Sequence, residues 1–261
     1  MTEQPLPVHD DSGLAVELID VHKHYERLAN GGIPSLRNLG REGRKAEHWV
    51  INGVNISIPR GGATGIVGLN GAGKSTLLRL MCGVTAPSRG QVICHYANPC
   101  LLALGAGVPN VLTGREYATT LGILAGLDKT EVLDRMDKIK EFSGIGGAFD
   151  QPVRTYSQGM RMRVGFAAVM HCDAEFLLID EVLAVGDKDF KAKCMVTLQR
   201  LIATTGTTVV FTSHSAAPVR KLCEQALWIE GGLIKMDGDA DEVMDVYEDL
   251  DVNPDLLVNE D

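Results

Sequence analysis

Residues 68–76 read Gly68-Leu69-Asn70-Gly71-Ala72-Gly73-Lys74-Ser75-Thr76 and fit the phosphate-loop pattern G-x-x-x-x-G-K-[ST]. Glycines at these spacings let backbone N–H groups turn inward around phosphate oxygens, and a helix starting at the loop's end adds partial positive charge. Lys74 has the reach to meet β- and γ-phosphates, and the Ser75 hydroxyl is a ligand for Mg²⁺. Three later groups have related competence. Phe176-Leu177-Leu178-Ile179 is followed by Asp180-Glu181, which places a carboxylate at the end of an apolar strand, where ligands of open α/β sheets sit. There Asp180 can hold Mg²⁺, directly or through water, and Glu181 can polarise an attacking water. His214 follows another apolar run and can contact a γ-phosphate. Ser157-Gln158-Gly159 stands at a helix start, a second anion site. Taken singly, these three have plainer readings: a turn or cap, a structural histidine, an N-cap. Their order and spacing after the phosphate loop favour the chemical ones.

Elements must hold these residues in place. Thr64-Gly65-Ile66-Val67 predicts a short buried strand before the loop, and Thr76-Leu77-Leu78-Arg79-Leu80-Met81 a helix after it. Leu14–Leu18 reads as a strand, and Val54-Asn55-Ile56-Ser57-Ile58 alternates as an antiparallel strand does. Residues 26–48, rich in Gly, Arg and Asn, predict an extended loop. Asp128 with Glu131 signals a helix start, and Val132, Met136, Ile139 and Phe142 recur at helical spacing. Residues 112–172 therefore predict a helical insert in an α/β core. Phe176–Ile179 and Thr208–Phe211 read as buried parallel strands. Val243, Val246, Tyr247 and Leu250 predict a last amphipathic helix. Residues 1–13 read as disordered and 251–261 as a loose acidic tail.

Composition narrows the class. The chain has 261 residues and a net charge of −9, which argues against a nucleic-acid binder held by a broad basic face. Its six cysteines form no C-x-x-C pair, so buried or free thiols in a reducing compartment are expected. Residues 1–11 lack the regions of a secretory signal. The longest stretch without Asp, Glu, Lys or Arg, Gly90 to Gly114, is interrupted by Pro99 and Pro109, so it is a poor membrane helix. Any membrane link is expected through a partner.

Together the motifs resemble those of the nucleotide-binding subunits of ABC transporters, over about residues 14–250. Gly68 to Thr76 matches their Walker A loop, Ser157-Gln158-Gly159 a shortened signature, and Ile179-Asp180-Glu181 Walker B with its adjacent glutamate. Ala184-Val185-Gly186-Asp187 occupies the D-loop and His214 the H-loop. The runs Y-S-Q-G-M (156–160), D-E-V-L-A-V-G-D (180–187) and L-G-A-G…L-T-G-R-E (104–116) look like those of polysaccharide exporters of capsule, O-antigen or teichoic acid. The stop near residue 250 resembles the shorter versions of these ATPases. No glutamine occurs between Gln91 and Gln151, and Leu104 or Gly105 falls near the place of the family's Q-loop glutamine.

The resemblance implies a P-loop NTPase α/β fold: an ABC-type nucleotide-binding domain with an antiparallel β subdomain and a helical subdomain at about 112–172. It implies ATP and Mg²⁺ as cofactors and catalysis by Glu181, His214 and Lys74. ATP would be bound by Gly68, Asn70, Gly71, Ala72, Gly73, Lys74, Ser75 and Thr76, and by Ser157, Gln158 and Gly159 of a second, head-to-tail copy. Ser75 and Asp180 would hold the metal. An aromatic residue would stack on adenine; Tyr25 has the expected setting and Trp49 is the alternative. The implied partner is an integral membrane permease, docked near residues 103–118, at the cytoplasmic face of a bacterial inner membrane, with no nucleic acid. Rival readings are export of another substrate or a soluble ABC ATPase.

Overall fold

The computed structural model describes residues 12–27, 46–102, 108–180 and 187–252. The expectations for 1–11, for most of the 26–48 segment, for Leu104 and Gly105, for Glu181 and for 253–261 fall outside these residues. Strands β1 (Leu14–Arg27) and β2 (Ala46–Pro59) pair antiparallel along their length. Both run far beyond the predicted pieces, because positive-φ residues interrupt the alternation that marks them: Asp20 at φ 47° and Gly53 at φ 74° sit at the register shifts. Glu26 and Arg27 still pair with Glu47 and Ala46, so the predicted loop is shorter than 26–48.

Next come β3 (Gly62–Val67), α1 (Lys74–Met81), β4 (Arg89–Cys94) and β5 (Cys100–Leu102). The charge-free stretch after Arg89 thus holds two strands that its weak alternation did not predict. β4 joins β1 to complete a three-stranded sheet, ordered β2–β1–β4. Helices α2 (Gly114–Leu124), α3 (Lys129–Asp134), α4 (Met136–Ser143) and α5 (Gln158–Met170) follow, with two short 3₁₀ turns at Gly146–Asp150 and Val153–Thr155. The rest is β6 (Phe176–Ile179), α6 (Lys188–Thr205), β7 (Thr208–Ser213), α7 (Ala216–Leu222), β8 (Gln225–Glu230), β9 (Leu233–Asp239) and α8 (Ala240–Val252). The second sheet is ordered β5–β6–β7–β3–β8–β9, parallel except for β9.

Its central strands are buried on both faces, which is why they read as continuous apolar runs. Their alternate residues feed two cores. Ile66, Phe176, Leu178 and Val210 pack with α1 and the three-stranded sheet, while Val67, Leu177, Ile179, Val209 and Phe211 pack with the helices on the other side. A third core, with Tyr117, Val132, Met136, Ile139, Phe149 and Tyr156, lies in the helical insert. Asp128 and Glu131 form the predicted capping box, although the helix breaks at Arg135 into α3 and α4.

In α8, Val243 and Tyr247 are buried as predicted, but Val246 is 41% exposed and Met244 takes its place in the core. All six cysteines are free thiols, and burial pushes those of Cys100, Cys172 and Cys194 up to about 12. Among the described residues no helix is long and apolar enough to cross a membrane.

Candidate functional site

The parallel sheet brings the predicted residues to one edge. β7 lies between β6 and β3, so Asp180, His214 and the loop after Val67 emerge from three adjacent strands at their C-terminal ends. Strand spacing puts the outer two roughly 10 Å apart. The loop leaves β3 at Gly68, with φ 152°, and enters α1 through Gly73, with φ 112°. A Cβ at Gly68 would lie 2.2 Å from the Ile229 carbonyl oxygen, and one at Gly73 would lie 2.7 Å from Ile51 Cδ1. The loop is therefore clamped between β8 and β2, and only glycine fits at its two ends. The turn at Gly231-Gly232 backs it: Gly232 N donates to the Ala72 carbonyl at 3.2 Å, and Asn52 N to the Gly232 carbonyl at 2.9 Å.

Gly68→Ala is expected to strain the backbone by about 2 kcal/mol and lower the melting temperature by roughly 4–8 °C. An unchanged melting temperature would show that β8 does not constrain the loop.

Lys74 is 5% exposed, and its Nζ donates to the carbonyls of Gly68 at 2.7 Å and Leu69 at 3.2 Å. Its ammonium is thus held over the loop's own concavity. Ser75 is half-buried in the first turn of α1, and Asn70 and Gly71 are exposed at the loop's crest. Asp180 accepts a 2.9 Å hydrogen bond from the Thr212 hydroxyl, which orients the carboxylate from the neighbouring strand. Thr212 was not singled out by sequence; the signal was its place in Thr212-Ser213-His214, two residues before the histidine. His214 is exposed, and the turn it occupies is fixed by Ser213, whose Oγ donates to the Ser215 carbonyl and accepts from the Ser215 amide.

Ser157, Gln158 and Gly159 are not on this edge. They open α5, which packs on α2 and α4 in the helical layer. Ser157 is the N-cap, its Oγ accepting from Met160 N at 3.2 Å, and Ser157 and Gln158 are exposed. Further along α5, Arg163 pairs with Asp187, the N-cap of α6, and lies 4.8 Å over the Phe190 ring. The Phe190 amide, and then Arg163, hold the Asp187 carboxyl below its usual range.

Register separates Tyr25 from Trp49. Val21, Lys23 and Tyr25 share one face of β1, and Lys23 stands opposite Ile51, the residue against Gly73. Lys23 Nζ sits 5.1 Å from the Tyr25 ring centre. Trp49 is on the other face, with His24 at 4.8 Å, His22 at 6.0 Å and Arg89 at 5.5 Å around its ring. Tyr25 therefore shares the face that covers the phosphate loop, and Trp49 packs away from it.

A cavity of about 400 Å³ opens at the opposite sheet edge, lined by Arg60, His95, Tyr96, Glu175 and Thr207 among others. Its polar walls engage one another: Arg60 donates to the carbonyls of Leu14 and His95, His95 meets Glu17 at 3.0 Å, and Tyr96 meets Thr208 at 3.0 Å.

Comparison with known proteins follows the same lines. The family described as ABC transporter matches residues 51–184. The chain is 40% identical to the O-antigen export system ATP-binding protein RfbB of Klebsiella pneumoniae over 245 residues, covering 94% of this chain and 93% of that one. It is 37% identical to the teichoic acids export ATP-binding protein TagH of Bacillus anthracis over 90% of its own length but spans only 42% of that relative. In fold it is similar to the dimeric post-hydrolysis structure of the ATP-binding cassette MJ0796 bound to ADP and Pi, with a TM-score of 0.71 at 20% identity over 86% of this chain and 98% of that one.

Proposed function

The chain belongs to the ABC transporter family, and from that premise we propose that it is the ATP-hydrolysing subunit of an exporter that moves a lipid-linked or capsular polysaccharide. The observation that carries the ATPase reading is the convergence of Lys74, Ser75, Asp180 and His214 on three adjacent strand ends. The polysaccharide reading rests on the likeness to relatives named for O-antigen and teichoic acid export, and on the runs at 104–116, 156–160 and 180–187.

In this reading the amides of Gly71 to Ser75 and the Lys74 ammonium bind the β- and γ-phosphates, Tyr25 stacks on adenine, and His214 contacts the γ-phosphate. Ser75 and Asp180, a hydroxyl and a carboxylate steered by Thr212, form an oxygen donor set that suits a hard cation. When bound there, Mg²⁺ would neutralise charge developing on the phosphates. Glu181 orients or deprotonates the attacking water. The chain thereby works by positioning and electrostatics. Exposed Ser157 and Gln158, with half-buried Gly159, open a helix of the helical layer and complete the ATP site of a second, head-to-tail copy. A permease docks near 103–118, where, among the described residues, Val111 is 68% exposed. In this reading the protein works at the cytoplasmic face of a bacterial inner membrane, bound through that partner.

Pull-down of the chain with its membrane partner, followed by ATPase assay, tests the whole. A polytopic partner and turnover are expected; turnover with no such partner would favour a soluble ATPase. Within the complex, Ser157→Arg is expected to leave ATP binding by the monomer intact and to cut turnover at least about 100-fold, by blocking closure. Normal turnover would refute the shared site.

A further inference from the structure

The signature residues open α5, which packs most extensively on α2 and α4, so the segment that leads into them bears on where they stand. The residue before them, Tyr156, is 6% exposed. Its hydroxyl donates to the Ala148 carbonyl at 2.7 Å. A Cβ at Gly114 would fall 2.1 Å from that same hydroxyl oxygen and 2.5 Å from the Phe149 carbonyl oxygen. Gly114 has ordinary helical backbone, so glycine is required there for space and not for conformation.

The neighbours of Gly114 are tied to the same segment. Arg154 N donates to the Asn110 carbonyl at 2.9 Å, Val153 N to the Leu112 carbonyl at 2.7 Å, and Gly114 N to the Gln151 carbonyl at 3.1 Å. Thr113 and Glu116 form the capping box of α2. Arg115 Nε meets Asp150 at 3.4 Å. Each residue of Leu112-Thr113-Gly114-Arg115-Glu116 thus either caps α2 or faces the strip 148–156 that leads into Ser157.

We infer that Gly114 and Tyr156 form a latch, the small residue admitting the large one, that fixes Ser157, Gln158 and Gly159 in the position from which they reach the second copy's ATP. The runs L-T-G-R-E and Y-S-Q-G-M are then two halves of one contact. Tyr156 is a positioning residue: it touches no phosphate and acts through the helix start beside it. The inference rests on the shared-site reading proposed above.

The test uses the full chain carrying Glu181→Gln, to hold any ATP dimer, and compares Tyr156→Phe, Gly114→Ala and Ser157→Arg. Three quantities are measured: ATP affinity of the monomer, ATP-driven dimerisation by sedimentation, and melting temperature. Tyr156→Phe keeps the ring and removes one hydrogen bond in each copy. It is expected to weaken dimerisation about tenfold, with monomer ATP affinity within about twofold. Gly114→Ala is expected to weaken dimerisation further. A purely structural role would lower the melting temperature of Tyr156→Phe while dimerisation below the melt stayed normal, and that overturns the latch. So does normal dimerisation of both variants while Ser157→Arg fails to dimerise. If Ser157→Arg itself dimerises normally, the shared-site reading has failed, and the latch with it.

Discussion

Lys74→Ala is expected to weaken ATP binding about 100-fold, the largest loss of affinity from any single change in this chain. Lys74 is 5% exposed, and its ammonium is aimed into the loop by the carbonyls of Gly68 and Leu69 at 2.7 and 3.2 Å. A charge held this way is already desolvated and oriented before a phosphate arrives, so little reorganisation opposes the new contact. A hydrogen bond to a charged group contributes about 1.5–3 kcal/mol, and the upper end is apt for a buried cation meeting a polyanion. About 2.7 kcal/mol is a factor of about 100. Alanine keeps the helix start, since its propensity is the highest of all residues, so the loss should fall on affinity and not on folding. Calorimetric titration with ATP, alongside a thermal melt, checks both halves. Affinity within about threefold of the parent would remove Lys74 from the phosphate site.

Glu181→Gln is expected to act at the opposite step. The change keeps shape and removes the charge that would orient or accept a proton from water. General-base contributions run to about 10²–10⁴, so turnover should fall at least about 100-fold. Binding should survive, because Lys74, the loop amides and Asp180 are untouched. The trapped state is then a stable ATP-bound dimer, detectable by sedimentation and by retention of labelled ATP. Undiminished hydrolysis in the variant would assign the water to another group. The two variants dissect the site: one loses ATP, the other keeps it and cannot use it.

Much of the site is legible in the sequence because its parts are local. The glycine-rich turn between a buried strand and a helix is written in the consecutive residues 68–76, and the strand that leads into Asp180 in residues 176–180. Such segments carry their own conformational instructions: glycine where φ is positive, an apolar run where both faces are buried, a hydroxyl where a helix begins. The predicted capping box at Asp128 and the N-cap at Ser157 are of this kind. So is the division of the chain into strand-bearing ends and a helical insert.

What the linear pattern hides are choices made by pairing. The faces of Tyr25 and Trp49 depend on register shifts around Gly53 and on the one between Lys23 and His24, which decide which side chains share a side with Ile51. The strands β4 and β5 alternate too weakly to declare themselves and are held by their neighbours. Val246 and Met244 differ by only two positions on a helix, and packing against the sheet decides between them. Thr212 matters because β7 lies beside β6, and Gly114 because Tyr156 lies above it. The sequence alone determined the chemistry, since each motif is a short stretch whose geometry follows from its own residues. Only the tertiary structure decided which residues from distant segments stand side by side, because strand register and the fit of a ring over a glycine are properties of pairs that no single stretch contains.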